Sequence, residues 1–135
     1  ADYFQYRIDT ARDKGMDSLA QSSVERWFTP ASIEADTPAV NKVRDMVRAT
    51  DPVGHEGCCQ ALKKLAFGAE LTGIQVPTLI LGGELDKGAP VDVLAETAAK
   101  IPGAKHVVIP GAGHITALES PEVFQRALDE FLVSL

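Results

Sequence analysis

Residues 75–90, QVPTLILGGELDKGAP, restrict the possible folds of this chain more than any other part of its sequence. The apolar run at 76–81, interrupted early by Pro77 and Thr78, leads into two glycines and an acidic tripeptide. Pro77 is tolerated near the start of a strand, where a backbone donor is least needed. The run therefore predicts a buried β-strand whose carboxyl end opens into a loop that carries Asp86.

A second short strand is predicted at residues 106–109, and the sequence PGAGH after it delivers His114. Loops at the carboxyl ends of parallel strands lie at one edge of an open α/β sheet, where ligands bind in such folds. An acid and a histidine at the same edge suggest a catalytic pair, so Asp86 and His114 are candidate catalytic residues. Glu84, two positions before Asp86, is a rival for the acid.

The predicted strand at 76–81 needs more neighbours than this sequence offers. It is apolar along its length, which is typical of a strand inside a parallel sheet that is covered on both faces. One partner strand is evident, yet two strands do not make a stable sheet, and an uncovered apolar edge recruits another chain. We expect an amino-terminal half of a longer protein, or self-association, to complete the sheet. The first residue, Ala1, is not Met, so we expect the chain to begin after processing or within a longer protein.

The sequence changes character near residue 68. Residues 1–68 carry no strand signal and predict three or four short amphipathic helices, whereas residues 69–135 alternate between strands and helices. Thr37 and Ser120 are predicted N-caps, each followed by a proline in the first helical position. Three sets of apolar residues at helical spacing are predicted to face inward. They are Cys58, Cys59, Leu62 and Leu65; Leu94, Ala95 and Ala98 in a helix at 91–101; and Val123, Phe124, Ala127, Leu128, Phe131 and Leu132 in the last helix.

Composition excludes several classes of function. The net charge of −6, with no run of Lys or Arg, argues against binding to nucleic acid or to an anionic membrane surface. No apolar stretch approaches the roughly 20 residues of a membrane-spanning helix, and no signal-peptide pattern opens the chain. The adjacent Cys58 and Cys59 bridge each other only with strain, and a metal site would need more ligands than nearby His55. We expect reduced thiols in a cytoplasmic protein, without metal or cofactor.

The two loops carry a recognisable family pattern. GGELDKGAP resembles the acid loop G-x-x-D-x-x-x-P of α/β-hydrolases, with Gly83, Asp86 and Pro90 in the matching positions. PGAGHITALESP resembles the histidine loop of that family, with His114 in place and Glu119 at its usual position. The helical first segment resembles the cap inserted in these hydrolases. The resemblance therefore implies a partial α/β-hydrolase fold: a helical cap at 1–68, then the last two strand–helix units of the parallel core at 69–135.

Two further segments resemble a subfamily, the 3-oxoadipate enol-lactonases, which hydrolyse a lactone in the bacterial breakdown of aromatic acids. They are ERWFTP at residues 25–30 and RATDPVGHEGCCQAL at residues 48–62. The order of segments along the chain is also similar. His55 departs from the pattern, because an aromatic residue is expected there. The resemblance implies a small ester or lactone as substrate and no cofactor.

The nucleophile of the family is missing from this sequence. It is a serine in G-x-S-x-G that precedes the acid and the histidine in chain order, and no G-x-S-x-G occurs here. We therefore expect the carboxy-terminal portion of a hydrolase that is inactive alone. With the serine supplied, His114 would take its proton and later activate water, while Asp86 would orient the imidazole. The register with Pro90 favours Asp86 over Glu84 as that acid.

Substrate binding is left open by the sequence. Trp27 could line the pocket beneath the cap or belong to the core. The enol-lactone carries a carboxylate, so a cation is expected in the pocket, and the candidates are Arg26, Arg44, Arg48, Lys63 and Lys64. Two other readings remain: a carboxylesterase or haloperoxidase-like hydrolase with a different pocket, or a non-catalytic fragment that self-associates through its sheet edge.

Overall fold

The computed structural model describes residues 2–135. Within that range the chain forms eight α-helices, one 3₁₀ helix and two β-strands, and no helix is long and apolar enough to cross a membrane. In chain order they are α1 (Asp2–Lys14), α2 (Asp17–Trp27), α3 (Pro30–Glu34), α4 (Pro38–Ala49), α5 (Pro52–Lys63), the 3₁₀ helix (Phe67–Gly73), β1 (Leu79–Gly83), α6 (Val91–Lys100), β2 (Lys105–Ile109), α7 (Thr116–Glu119) and α8 (Pro121–Val133).

One of the two predicted side-chain caps is present. The Thr37 hydroxyl accepts a hydrogen bond from the Val40 N–H at 3.4 Å, and Pro38 lies in the first turn of α4, as predicted. Ser120 directly precedes α8 and Pro121 is the first residue of that helix, as predicted, but the Ser120 side chain makes no capping hydrogen bond, so that part of the prediction was wrong. Ser120 also ends α7, and its backbone (φ −138°, ψ 60°) lies outside the extended region that an N-cap adopts.

Helices α1–α5 surround a core of their own. There are five helices instead of three or four, because the short α3 separates α2 from α4. α2 packs on α4 and α1 packs on α5. Two clusters of buried side chains lie between them: Ala11, Met16, Leu19, Ala20 and Val47, and Val24, Phe28, Val40 and Val43. The division of the chain after residue 68 stays a prediction, since the 3₁₀ helix Phe67–Gly73 runs across that position.

The strands β1 and β2 pair in parallel, with Leu79 opposite Lys105 and Gly83 opposite Ile109. α6 connects them and packs on both. β1 begins three residues later than predicted, because Pro77 has no N–H to donate to the ladder. The sheet formed by residues 2–135 consists of these two strands, so each keeps one edge without a partner in this part of the chain.

The apolar faces beside the sheet are incompletely covered. No residue of α6 or α8 is fully buried. Half-buried are Leu94, Ala98, Phe124, Ala127, Leu128 and Phe131. The predicted burial was wrong for Ala95, Val123 and Leu132, which are exposed. Their spacing indicates an inward face, but residues 2–135 provide no further element to cover it.

The predicted stripe on α5 is buried at only one of its four positions. Cys59 is buried against α1, whereas Cys58, Leu62 and Leu65 are exposed, so the prediction was wrong for these three. Cys58 and Leu62 border an open cavity instead of packing into the core, and Leu65 lies beyond the end of the helix. An apolar stripe on a helix can therefore form a pocket wall as well as a core contact.

Candidate active site

Asp86 and His114 lie side by side beyond the carboxyl ends of β1 and β2. The Asp86 Oδ2 and His114 Nδ1 atoms are 2.8 Å apart. The Asp86 side chain is 4% exposed, whereas the His114 side chain is 42% exposed. The structure thus brings together the two residues that the sequence singled out, with the acid buried and the imidazole accessible.

Backbone donors hold the Asp86 carboxylate in place. Its Oδ1 atom accepts hydrogen bonds from the N–H groups of Gly88, at 2.6 Å, and Ala89, at 3.0 Å. Burial raises the pKa of Asp86, but the hydrogen bonds from His114 and from these two N–H groups outweigh burial and hold the pKa below its ordinary value. An ionised carboxylate only accepts hydrogen bonds, so His114 carries its proton on Nδ1 and Nε2 is free to act as a base.

Glu84 has a different partner. Its carboxylate accepts a hydrogen bond from the Gly111 N–H at 2.8 Å, so it ties the loop after β1 to the loop after β2. Asp86, not Glu84, meets the His114 ring. The geometry therefore agrees with the choice that the register with Pro90 indicated.

The same two loops approach each other closely at Gly83. A Cβ atom at this position would overlap the carbonyl oxygens of Gly113 and Ala112. The Leu85 N–H donates to the Ala112 carbonyl oxygen at 2.9 Å beside this contact. Glycine is therefore required for the loops to lie close enough to pair their side chains.

The histidine loop also lies directly against helices α1–α5, the segment that the sequence predicts to be the helical cap. The His114 N–H donates to the carbonyl oxygen of Trp27, the last residue of α2, at 2.8 Å. A Cβ at Gly113 would lie 2.8 Å from that same oxygen and 2.8 Å from Glu119 Oε2. The position of the imidazole is thus set by the cap as well as by the sheet.

Glu119 connects the cap to the histidine loop through four hydrogen bonds. Its Oε1 atom accepts from the Thr29 N–H at 2.9 Å, the Thr29 hydroxyl at 2.8 Å and the Ser32 hydroxyl at 2.6 Å. Its Oε2 atom accepts from the Gly113 N–H at 2.6 Å. Burial raises the pKa of Glu119, but these donors outweigh it and keep the pKa below its ordinary value. The sequence placed Glu119 near the site without indicating this role.

A cavity of about 420 Å³ opens beside His114. Gly88 and His114 contribute from the loops, and α1, α2 and α5 contribute the rest of the wall. The other lining residues are Tyr3, Phe4, Arg7, Arg26, Trp27, His55, Cys58, Cys59 and Leu62. The volume falls in the range of small-molecule sites, roughly 300–1,000 Å³. The exposed side of the imidazole therefore faces a space that can hold a small ligand.

Residues 11–121 match the family described as the alpha/beta hydrolase fold. The chain belongs to the α/β-hydrolase family. It is similar to 3-oxoadipate enol-lactonase 2 of Acinetobacter baylyi, at 29% identity over 131 residues that cover 96% of this chain and 48% of that protein.

Two solved structures of hydrolases, a lactonase and an esterase, are also similar to this α/β-hydrolase chain. The enol-lactonase from Burkholderia xenovorans LB400 matches with a TM-score of 0.93 at 31% identity, covering 98% of this chain and 50% of that one. A thermophilic esterase from Thermogutta terrifontis matches with a TM-score of 0.89 at 25% identity, covering 98% and 49%. The chain spans about half the length of these relatives, so it represents a part of the hydrolase fold.

Trp27 takes both of the positions that the sequence left open. It lines the cavity, and it also packs against both clusters of the cap core. In this α/β-hydrolase chain the end of α2 therefore supplies a cavity wall, a core contact and a backbone acceptor for His114.

The cations of the cavity differ from those expected. Of the five candidates, Arg26 lines the cavity, whereas Arg44, Arg48, Lys63 and Lys64 do not. Sequence reasoning missed Arg7, which is 6% exposed and lines the same cavity. A signal for it exists: Arg7 stands between Phe4, Ile8 and Ala11 at helical spacing, on the inward side of α1.

The cysteines are poorly suited to act as the missing nucleophile. Both are free thiols, Cys58 exposed and Cys59 buried. Cys59 Sγ lies 3.5 Å from His55 Nε2, but burial raises the pKa of Cys59 and lowers the pKa of His55. Both shifts favour the neutral pair over a thiolate with an imidazolium. Within residues 2–135, no three His, Cys, Asp or Glu side chains gather to hold a metal ion.

Proposed function

We propose that this chain supplies the acid and the base of an ester- or lactone-hydrolysing active site. The observation that carries the proposal is the 2.8 Å contact between Asp86 and the Nδ1 atom of His114, whose ring opens onto the cavity. A buried, ionised acid fixes the tautomer of the imidazole and stabilises its charged form, which a general base in acyl transfer requires.

The chemistry follows from the roles of these two residues. The sequence has no G-x-S-x-G serine, so the nucleophile would come from another polypeptide segment. His114 Nε2 would remove the proton of that serine as its oxygen attacks the ester carbonyl, and would then give the proton to the leaving alkoxide. In the second half, His114 would take a proton from water as the water oxygen attacks the acyl-enzyme, and would return that proton to the serine oxygen as the acyl bond breaks. Asp86 stays ionised throughout and orients the ring.

The finer proposal is 3-oxoadipate enol-lactone as substrate, within bacterial breakdown of aromatic acids in the cytoplasm. It is supported by the likeness to the enol-lactonases of Acinetobacter and Burkholderia, by the free thiols of Cys58 and Cys59, and by cations in the cavity. A carboxylesterase of different substrate range is the alternative, and the likeness to the Thermogutta esterase supports it.

The proposal also includes a further polypeptide segment that completes the two-stranded sheet. The open edges of β1 and β2 and the uncovered faces of α6 and α8 fit an amino-terminal hydrolase half or a second copy of this chain. A second copy alone would make the chain a non-catalytic, self-associating fragment. Native mass spectrometry with denatured masses beside it separates these cases, because a hydrolase half would appear as a second, different polypeptide.

The decisive experiment uses the serine-containing assembly, meaning this chain together with a polypeptide that carries G-x-S-x-G. Hydrolysis of a panel of lactones and aryl esters is measured for the parent and for His114→Ala and Asp86→Ala. We expect each change to abolish turnover, while Glu122→Gln on the exposed start of α8 leaves it unchanged. Full activity of both His114→Ala and Asp86→Ala would refute the proposal.

A further inference from the structure

Arg7 is a buried cation without an acidic partner. Arg7 is 6% exposed. Within residues 2–135, no Asp or Glu oxygen lies within ion-pair distance of the Arg7 guanidinium. The Nη1 atom donates to the Tyr3 hydroxyl at 3.3 Å and to the Ser23 hydroxyl at 3.1 Å. Arginine is almost never so buried unless a counter-charge accompanies it, because its charge loses the hydration of water.

The neighbours of Arg7 stabilise its charge without neutralising it. The guanidinium carbon lies 5.8 Å from the ring centre of Tyr3 and 5.9 Å from that of Trp27, so both rings attract the cation. Hydroxyl dipoles and aromatic faces orient the group but carry no negative charge. A guanidinium has five N–H donors, and the two hydroxyls bind only one of its nitrogens in the described chain.

The cavity beside Arg7 is lined by positive charge, which suits an anionic ligand. None of its lining residues is acidic, whereas Arg7 and Arg26 are both cations. Arg26 is the weaker candidate, because it is half-buried and its guanidinium lies 4.4 Å from the ring centre of Tyr3, where water still screens it. A buried arginine beside apolar walls attracts an anion far more strongly than an exposed one.

We propose that Arg7 binds a carboxylate on the substrate, so that the cavity takes small esters or lactones that carry a second, anionic group. The planar guanidinium fork matches a carboxylate in geometry, and a charge-assisted pair with a largely buried arginine is strong. His114 and Arg7 line the same cavity of about 420 Å³, so one small molecule can place its ester group beside His114, where the serine would attack, and its carboxylate beside Arg7. This inference rests on the proposed function and names its substrate class.

Binding to the 135-residue chain tests the inference without turnover. The probes are adipate, a six-carbon dicarboxylate, and its neutral dimethyl ester, measured by isothermal titration calorimetry. We expect adipate to bind more tightly than the diester. Arg7→Met, which keeps the volume and removes the charge, should weaken adipate about ten- to hundredfold, the usual contribution of a hydrogen bond to a charged group. Arg7→Lys should weaken adipate binding less, because lysine keeps the positive charge and loses only the forked guanidinium geometry.

Arg44→Met is the matched control. Arg44 is also well covered, with a side chain 17% exposed, but it pairs with Asp36 and does not line the cavity. We expect its adipate affinity to equal that of the parent. The inference is overturned if the parent does not prefer adipate to the diester, or if Arg7→Met binds adipate as the parent does.

Kinetics in the serine-containing assembly separate the inference from the proposed function. Arg7→Met should raise KM for monomethyl adipate about ten- to hundredfold more than it raises KM for dimethyl adipate. An equal loss for both esters would mean that Arg7 only supports the structure, and would overturn the inference. Hydrolysis that survives His114→Ala would instead refute the proposed function, while the calorimetric preference for adipate would still stand.

Discussion

The Glu119 carboxylate binds Thr29 twice, accepting its backbone N–H at 2.9 Å and its hydroxyl at 2.8 Å. Through its other oxygen it also binds the Gly113 N–H, one residue before His114. A single carboxylate thus joins the helical cap to the loop that carries His114. Glu119 is a positioning residue, because it acts on the site through the backbone of its neighbours.

Glu119→Gln tests this connection. The amide keeps the shape but loses the charge and one acceptor, so donors at Thr29, Ser32 or Gly113 are left unpaired. Hydrogen bonds to charged groups contribute roughly 1.5–3 kcal/mol each, so we expect the free energy of unfolding to fall by about 1–3 kcal/mol in urea titrations. Glu122→Gln, at an exposed position nearby, should change little. Equal midpoints for the two variants would contradict the proposed role.

Acid should weaken the same connection. The folded-state pKa of Glu119 and of Asp86 lies below the ordinary value, so each binds protons less readily in the folded chain than in the unfolded one. Their stabilisation is complete above the ordinary carboxyl pKa of about 4 and is lost as the pH falls through the lower folded-state values. Urea midpoints measured from neutral to acidic pH should show this loss. The urea midpoint of Glu119→Gln should fall less with acid than the midpoint of the parent. An identical pH dependence of the two midpoints would contradict the stabilising role of the Glu119 carboxylate.

Gly83→Ala should separate the loops that carry Asp86 and His114. Its Cβ would overlap the backbone oxygens of Gly113 and Ala112, which cannot move aside as a side chain can. We expect a destabilisation of about 1–3 kcal/mol, typical of overpacking, together with loss of the NMR signal of the hydrogen-bonded Nδ1 proton of His114. Gly68→Ala is the control, since nothing lies within 4 Å of its Cβ. An intact proton signal in Gly83→Ala would contradict the close approach of the loops.

Asp86→Asn should change the tautomer of His114 and leave the shape of the site intact. The asparagine amide can donate to Nδ1, which would move the imidazole proton to Nε2 and remove the base from the cavity. In serine triads this change lowers kcat by roughly 10⁴-fold, and we expect a loss of that order in the serine-containing assembly. Steady-state kinetics with a neutral ester measure it. A loss below tenfold would show that Asp86 does not set the tautomer.

Trp27 is the only tryptophan in the sequence, and it lines the cavity. A ligand that enters the cavity should therefore shift or quench tryptophan fluorescence of the chain. Titration with adipate measures this directly, and Trp27→Phe should remove the signal while adipate still binds by calorimetry. Binding without any change in Trp27 emission would contradict its position in the wall.

Sequence patterns predicted Asp86 and His114 because each stands close behind an apolar strand, and strand ends converge at one sheet edge. They predicted the Thr37 cap for an equally local reason, since a cap and its donor lie three residues apart. The register with Pro90 favoured Asp86 over Glu84 as the acid, but no local pattern could predict the partner of Glu84. The Gly111 N–H, which binds Glu84, comes from a distant part of the chain.

Arg7 was missed because a charge in an apolar stripe is read as an exposed position, although this one is buried against Tyr3 and Trp27. The opposite error occurred in α8, where Val123 and Leu132 were predicted to be buried and are exposed. Helical spacing shows that a face is apolar, but it cannot show whether anything packs over that face. The covering element must come from elsewhere, and the periodicity of the helix holds no information about it.

The hydrogen bond between Asp86 and His114 is formed entirely within this chain, whereas the serine it would serve lies outside it. Catalysis would then require a segment that carries the nucleophile to meet a base that is already assembled. If the two parts are supplied as separate polypeptides, ester hydrolysis becomes a readout of their association. Fused to two candidate binding partners, this chain and a matching serine half would form a split-enzyme sensor that is silent until the partners come together.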